Sequence, residues 1–311
     1  MAVRNLSVSS LVNNQPKFNK MSGRLKFTGG AGYVAGGTSA GGSVDKFLFS
    51  DDSRTTLSSL LSSDRYGSAG FASSVAGYVA GGTTGSYVAT VDKFAFSDDS
   101  RTTLGTGLSS ARRNLSGFAS SVAGYAAGGD TGVDVTTVDK FAFSDDSRTT
   151  LGTGLSVART NAAGFASSTA GYSAGGVGPL SSVDKFAFSD DSRATLGTGL
   201  SSARRGSAGF ASSVAGYVAG GETGSNVTTV DKFAFSDDSR TTLASGLSVA
   251  RRLLAGFASG VAGYAAGGYV AAGVAIVDKF SFSDDSRSTL GVGMSSDSFG
   301  PAGFASPDGW S

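Results

Sequence analysis

The chain has 311 residues and a formal charge of +1, with 48 Gly, 40% hydrophobic residues, no Cys, no His, and Glu222 as its single Glu against 23 Asp. This inventory excludes disulfide scaffolds, thiolate or imidazole metal sites, and every mechanism that needs a His base or a Cys nucleophile. The near-neutral balance gives no global field that would favour nucleic acid or an anionic membrane.

In chain order, residues 1–20 contain one early Arg and no apolar core of the roughly 7–15 residues that a secretory signal needs. Residues 1–22 read as an extended arm, with Leu6, Val8, Leu11, Val12 and Phe18 dispersed among Ser and Asn, suited to docking on a partner as an added strand. From residue 23 to residue 311 the chain is dominated by a repeat. A Gly-Tyr pair ahead of an Ala-Gly-Gly recurs at Tyr33, Tyr78, Tyr125, Tyr172, Tyr217 and Tyr264, at spacings of 45, 47, 47, 45 and 47. The block VDKFxFSDDSRxTL begins at Val44, Val91, Val138, Val183, Val230 and Val277, so there are six units. Only Phe18 and Phe299 of the 21 Phe fall outside the repeat, which marks the others as core.

Within residues 112–158 four strand-like runs, GFASSV, YAAGG, VDKFAF and RTTLGTGL, are separated by Gly, Asp and Ser clusters. Four short strands in such a period are the pattern of a propeller blade. In VDKFAF the two Phe are two apart and share one face, with Val and Ala on the other, as a sheet packed between two neighbours requires. Residues 253–277 run without a charge and are long enough to span a bilayer. They are one copy of the repeat and rich in Gly, so they read as blade and not as a membrane helix.

The order of Arg112, Gly124, Tyr125, Gly128, Gly129, Phe141, Phe143 and Leu151 resembles the kelch repeat, and the resemblance covers residues 24–310. Leu151 stands where that family normally carries Trp. Ser144, Asp146, Arg148, Thr150 and Leu151 are similar to the Asp-box hairpin of sialidase-like propellers, with Arg in place of Gly. Both resemblances support the blade assignment, and the six units then make an all-β, six-bladed β-propeller of four-stranded blades, its ring closed by the N- and C-terminal segments. The tail GFASPDGW, residues 303–310, restarts a seventh unit and is the better match for the innermost strand of the first blade; residues 24–28 pair elsewhere or share that blade.

With the first strand of each blade at the axis, as the kelch resemblance implies, the loops from second to third strand and from fourth to first strand share one face. The former vary from unit to unit (TSAGGS, TTGSYVAT, DTGVDVTT, VGPLSS, ETGSNVTT, YVAAGVAI), while the SDDSR turns on the other face are identical. A specific binding surface therefore belongs on the variable face. There Arg65, Arg112, Arg113, Arg159, Arg204, Arg205, Arg251 and Arg252 are expected to ring the channel mouth, where guanidinium groups can hold carboxylates or phosphates. The competing reading pairs each Arg with a neighbouring blade's Asp or carbonyls. Tyr66, Tyr87 and Tyr269, outside the repeated Tyr position, are candidates for sugar stacking or protein contact, with ordinary packing as the alternative. Glu222 joins them as the one Glu, in a Gly-rich loop.

The SDDSR turns offer paired carboxylates, but without the alternating spacing and terminal Glu of a calcium loop. Side-chain capping of a tight turn accounts for them, and no metal or cofactor is assigned. Asp139 and Lys140 point to opposite faces of their strand and are expected to contact adjacent blades or solvent. No catalytic residue stands out, since six equal Asp pairs would have to be argued together. The style of repeat resembles kelch-like proteins of bacteriophage particles, which implies a non-enzymatic virion component of tail, baseplate or fibre. Its arm would attach to other structural proteins, and its variable loops would meet a neighbour or a host glycan. A soluble, cytoplasmic interaction platform and a glycan-binding lectin are the alternatives; nucleic acid and membrane insertion are not expected.

Overall fold

The computed structural model describes residues 30–39 and 41–307. Six four-stranded antiparallel sheets surround an axis as a six-bladed β-propeller. Blade 2 shows the pattern: an inner strand Ala69–Ala72, a second strand Ala76–Ala80, a third strand Val91–Ala95 and an outer strand Arg101–Thr103. The outer strand is shorter than the run of alternating residues suggested. After Leu104 N–H bonds Val91 O at 2.9 Å, Gly105 and Gly107 release the chain inward, and Leu108 N–H bonds Ala89 O at 2.8 Å with its side chain buried.

Blade 1 is built from both ends of the chain. Its inner strand is Ala302–Ala305, paired antiparallel with Ala31–Ala35, and Val44–Leu48 and Arg54–Thr56 complete the sheet. The tail thus closes the ring, as its sequence match indicated, and the inner edge of Ala31–Ala35 is paired. Residues 24–28 and the arm of residues 1–22 lie outside the described residues. The uncharged stretch 253–277 forms the two innermost strands of blade 6 and the loop that follows them. Among the described residues no helix is long and apolar enough to cross a membrane.

The core lies between blades. Phe71 of blade 2 stacks on Tyr78 of its own blade at 5.3 Å and on Phe141 of blade 3 at 5.9 Å, while Tyr78 stacks on Phe143 at 5.4 Å. The Gly of each Gly-Tyr pair makes this possible: a Cβ on Gly124 would sit 2.0 Å from the Phe71 ring. At the axis the inner strands approach more closely still, and a Cβ on Gly117 would lie 2.2 Å from Gly70 O. Side chains are removed where blades converge so that backbone and ring can meet.

The SDDSR turns join the blades on the opposite face. Asp98 Oδ1 accepts from Ser100 N at 3.0 Å, which is the expected capping. Asp99, at φ 58°, turns its carboxylate toward blade 1, where Tyr33 Oη donates at 2.9 Å and Lys46 Nζ pairs at 2.7 Å. Capping therefore describes only the first Asp of each turn. The second is an inter-blade bridge, and Lys140 likewise reaches Asp191 of the next blade at 2.7 Å.

Candidate functional site

At the mouth on the variable face, one residue per blade adopts the left-handed conformation: Gly67, Asn114, Asn161, Gly206, Leu253 and Gly300, with φ between 57° and 71°. Each donates its N–H to the carbonyl of the one before it, at 2.5–2.8 Å, and Gly67 N bonds Gly300 O at 2.7 Å, so six hydrogen bonds form a closed circle. Below it an axial cavity of about 80 Å³ is walled by backbone and small side chains such as Ser68, Gly117 and Ala163. The rim is therefore peptide and not guanidinium.

Five of the expected rim arginines do not reach the rim and are buried within the blades that their linkers enter. Arg65, Arg112, Arg159, Arg204 and Arg251 pair with Asp92, Asp139, Asp184, Asp231 and Asp278 at 2.9–3.2 Å, every one of these side chains 0% exposed. The competing reading is closer, with one change: each partner belongs to the blade that the Arg enters. Arg112 also donates to the Ala126 and Gly128 carbonyls, and Asp139 accepts from Ser109 N and Oγ and from Thr150 Oγ1. Buried charges require this full complement of bonds. Burial pushes the Asp139 carboxyl up, but Thr150, Ser109 and Arg112 together outweigh it and hold the group below the usual carboxylate range. These five arginines anchor linkers and have no free face for a ligand.

The next residue in each linker stands outside the circle and differs around the ring: Tyr66, Arg113, Thr160, Arg205, Arg252 and Phe299. Four of them bridge to the second-to-third-strand loop of their blade, at Thr83, Asp130, Glu222 and Tyr269 respectively for Tyr66, Arg113, Arg205 and Arg252. Arg113 Nε pairs with Asp130 at 3.2 Å and its guanidinium lies 5.0 Å over Tyr87, whose Oη donates to Asp130 at 2.8 Å. Glu222 is shared, by Arg205 Nε at 3.0 Å and Arg252 at 2.9 Å, and Arg252 lies 4.8 Å over Tyr269.

Phe299 joins the two clusters. Its ring meets Tyr269 edge-on at 5.2 Å and Tyr66 at 6.4 Å. The result is an arc from Glu222 through Tyr269, Phe299 and Tyr66 to Tyr87 and Asp130, all half-buried. Across the ring, blade 4 carries buried Thr160 at the equivalent position, beside the shorter loop of Val177 and Pro179. The structure thus groups Tyr66, Tyr87, Arg113, Arg205, Glu222, Arg252 and Tyr269, and separates from them the five buried arginines. Phe299 was not singled out from the sequence, although its place as one of two Phe outside the repeat was the available signal.

Chemically the arc presents aromatic faces and guanidinium groups already matched to carboxylates, which suits contact with a surface of mixed polarity. Among the described residues no group of three acidic side chains converges as a metal site would require. The sequence matches no family model and no curated protein.

Proposed function

We propose that the protein is a non-enzymatic interaction scaffold of a large assembly, in the manner of the kelch-like repeat proteins of bacteriophage particles that its repeat resembles. A propeller supports many activities, so the argument rests on the site. The observation that carries it is the contrast between a repeated frame and a variable crown. The buried Arg–Asp pairs, the Phe-on-Gly packing and the Asp bridges recur around the ring, while Tyr66, Arg113, Thr160, Arg205, Arg252 and Phe299 differ at one equivalent position. Variation concentrated at one partly exposed rim is what a directional contact surface needs.

In this reading the arc around Phe299 meets a neighbouring subunit or a host surface glycan, the location is the virion, and residues 1–22 attach to other structural proteins. No catalytic role is assigned: the carboxylates of the arc are neutralised by Arg113, Arg205 and Arg252, and the repeated Asp pairs do structural tasks. Sedimentation from the native source with mass spectrometry of each fraction tests it. Co-migration with a particle is expected, and a free species of about 31 kDa would exclude the particle and favour the soluble platform or the lectin. Phe299→Ala and Tyr269→Ala should then weaken the contact at least tenfold, by loss of aromatic area in the middle of the arc.

A further inference from the structure

Five linkers show how this fold holds a guanidinium, and the sixth presents the same acceptors to a serine. In blade 3 Arg112 Nη1 pairs with Asp139 Oδ2 at 2.9 Å, while Nε and Nη2 donate to the Gly128 and Ala126 carbonyls at 2.9 and 3.2 Å. Ser298 occupies the equivalent place in the linker that enters blade 1. Its backbone is held as that of Arg112 is. Ser298 N bonds Val274 O at 3.3 Å and Ser298 O accepts from Gly268 N at 2.9 Å; Arg112 N bonds Val88 O at 3.3 Å and Arg112 O accepts from Gly82 N at 2.9 Å.

The carboxylate end is also built alike. Asp45 Oδ2 accepts from Ser295 N and Oγ at 2.6 and 2.9 Å and Oδ1 from Thr56 Oγ1 at 2.7 Å, as Asp139 does from Ser109 and Thr150. Val34 keeps with Asp45 the register that Ala126 keeps with Asp139, and Gly36 takes the place of Gly128. What differs is the chemistry between the two ends. Each of the other five buried Asp meets two guanidinium groups, one from the entering linker and one from its outer strand. Among the described residues Asp45 meets only Arg54, at 3.3 Å, and it alone of the six keeps any exposure, 3% against 0%. Ser298 follows the start of the arginine path: a Cβ on Gly37 would lie 2.1 Å from Ser298 Oγ, where one on Gly82 would lie 3.4 Å from Arg65 Cδ. There its hydroxyl is buried without a partner, and so is that of Ser296 in the same linker; no other hydroxyl among the described residues is in that state. Buried polar groups are seldom left unpaired.

We propose that this place in the seam binds a guanidinium cation from solution, seated on Asp45, the Val34 and Gly36 carbonyls and the Ser295 and Ser298 hydroxyls. A guanidinium is the cation that these acceptors already hold in five other blades, where its fork of donors meets a carboxylate and carbonyls at once. The inference is independent of the particle reading. Thermal melting of the full chain in up to about 20 mM guanidinium chloride at constant ionic strength tests it, a concentration far too low to denature. The melting temperature of the parent should rise by about 2–4 °C and level off, as a ligand bound only by the folded state requires. Urea, a planar molecule of similar size without the charge, should give no rise. Ser298→Arg, which brings its own guanidinium, should abolish the rise, and Arg112→Ala, which frees a second set of acceptors, should enlarge it. Ethylguanidinium separates two sources of the group: a larger rise than with the bare ion marks a place for an arginine-like ligand, a smaller one a place for guanidinium itself. Equal responses of the parent to guanidinium and urea would overturn the proposal, and that comparison requires no variant to fold. An equal rise in the parent and in Ser298→Arg would overturn it as well, since the effect would then arise elsewhere.

Discussion

Blades 1 and 3 present the same strands in the same order but differ in how they are held. Blade 3 is continuous in sequence, and its entering linker is locked by Arg112 on Asp139 at 2.9 Å. In blade 1 the inner strand arrives 246 residues after its outer strand ends at Thr56 and Ser298 stands where the other linkers have Arg. Asp45 keeps Ser295 N at 2.6 Å and Ser295 Oγ at 2.9 Å, yet no guanidinium reaches it from the linker, and buried Ser298 Oγ has no partner. The opposite face shows no such gap: Tyr264 Oη and Lys279 Nζ bridge from blade 6 to Asp52 at 2.9 and 2.7 Å. The seam is thus tied by strand pairing and by the Asp bridge, without the buried ion pair that secures every other blade.

The most severe way to break this comparison is to end the chain after Gly300, which removes the inner strand Ala302–Ala305. Gly32 and Gly77 would lose the ring of Phe304 or the strand beside it, and blade 1 would expose an unpaired edge. Loss of cooperative melting, or association into larger species, is expected by circular dichroism and gel filtration. A monomer that melts like the parent would show that closure by the tail is dispensable.

Within blade 3, Arg112→Ala leaves Asp139 buried with Ser109 and Thr150 but no countercharge. The expected cost is about 3–5 kcal/mol in denaturant unfolding. Asp139 bears on the pH dependence as well. Its folded-state pKa is depressed below the ordinary 3.8, so its contribution is present above about pH 4 and is lost as pH falls through the folded value. Asp92, Asp231 and Asp278 follow the same rule. The acid limb of the stability curve should therefore steepen below pH 4 in the parent and flatten in Arg112→Ala.

The converse substitution, Ser298→Arg, gives the seam what the other blades have. Val34 and Gly36 supply the carbonyl positions that Ala126 and Gly128 offer Arg112, and Asp45 supplies the carboxylate. Charge-assisted bonds of this kind contribute about 1.5–3 kcal/mol, so a gain of that order is expected, read as a higher denaturant midpoint with an unchanged slope. No gain would mean that the seam has closed around Ser298 differently from its five counterparts.

Much of this was legible before the structure. The spacing of Tyr33 to Tyr264 fixes six blades, the alternation in VDKFAF fixes which side chains face a neighbour, and GFAS in the tail marks the closing strand. The fate of the arginines was not legible. Arg112 meets an Asp 27 residues downstream, and only the crossing path of the linker decides that its guanidinium is buried against Asp139 while Arg113 stays partly exposed beside Asp130. Nor does sequence alone reveal that Asp99 adopts a left-handed φ, which turns the second carboxylate of an apparent capping pair onto Tyr33 and Lys46. Phe299 was visible as an exception but acquires meaning only beside Tyr66 and Tyr269, which come from opposite ends of the chain.

The smallest effect gives the sharpest comparison, because it asks whether one bond matters more at the seam. Tyr125→Phe removes the hydroxyl that donates to Asp191 at 2.8 Å, within a stretch where the buried Arg–Asp pairs are intact. Tyr264→Phe removes the equivalent bond to Asp52, where the blade being joined lacks that pair. Each loss costs about 0.5–1.5 kcal/mol in isolation. If the seam is the weakest interface, Tyr264→Phe should also speed unfolding more than Tyr125→Phe at equal loss of equilibrium stability, since the ring would open there first. Burial and the bond to Asp191 push the Tyr125 phenol well above its ordinary 10.0. Its contribution is full below about pH 10 and declines as pH rises toward the folded value, so the Tyr125→Phe deficit should shrink in alkali. Equal unfolding rates for the two variants would show that the ring opens with no preference for the place where the chain ends meet.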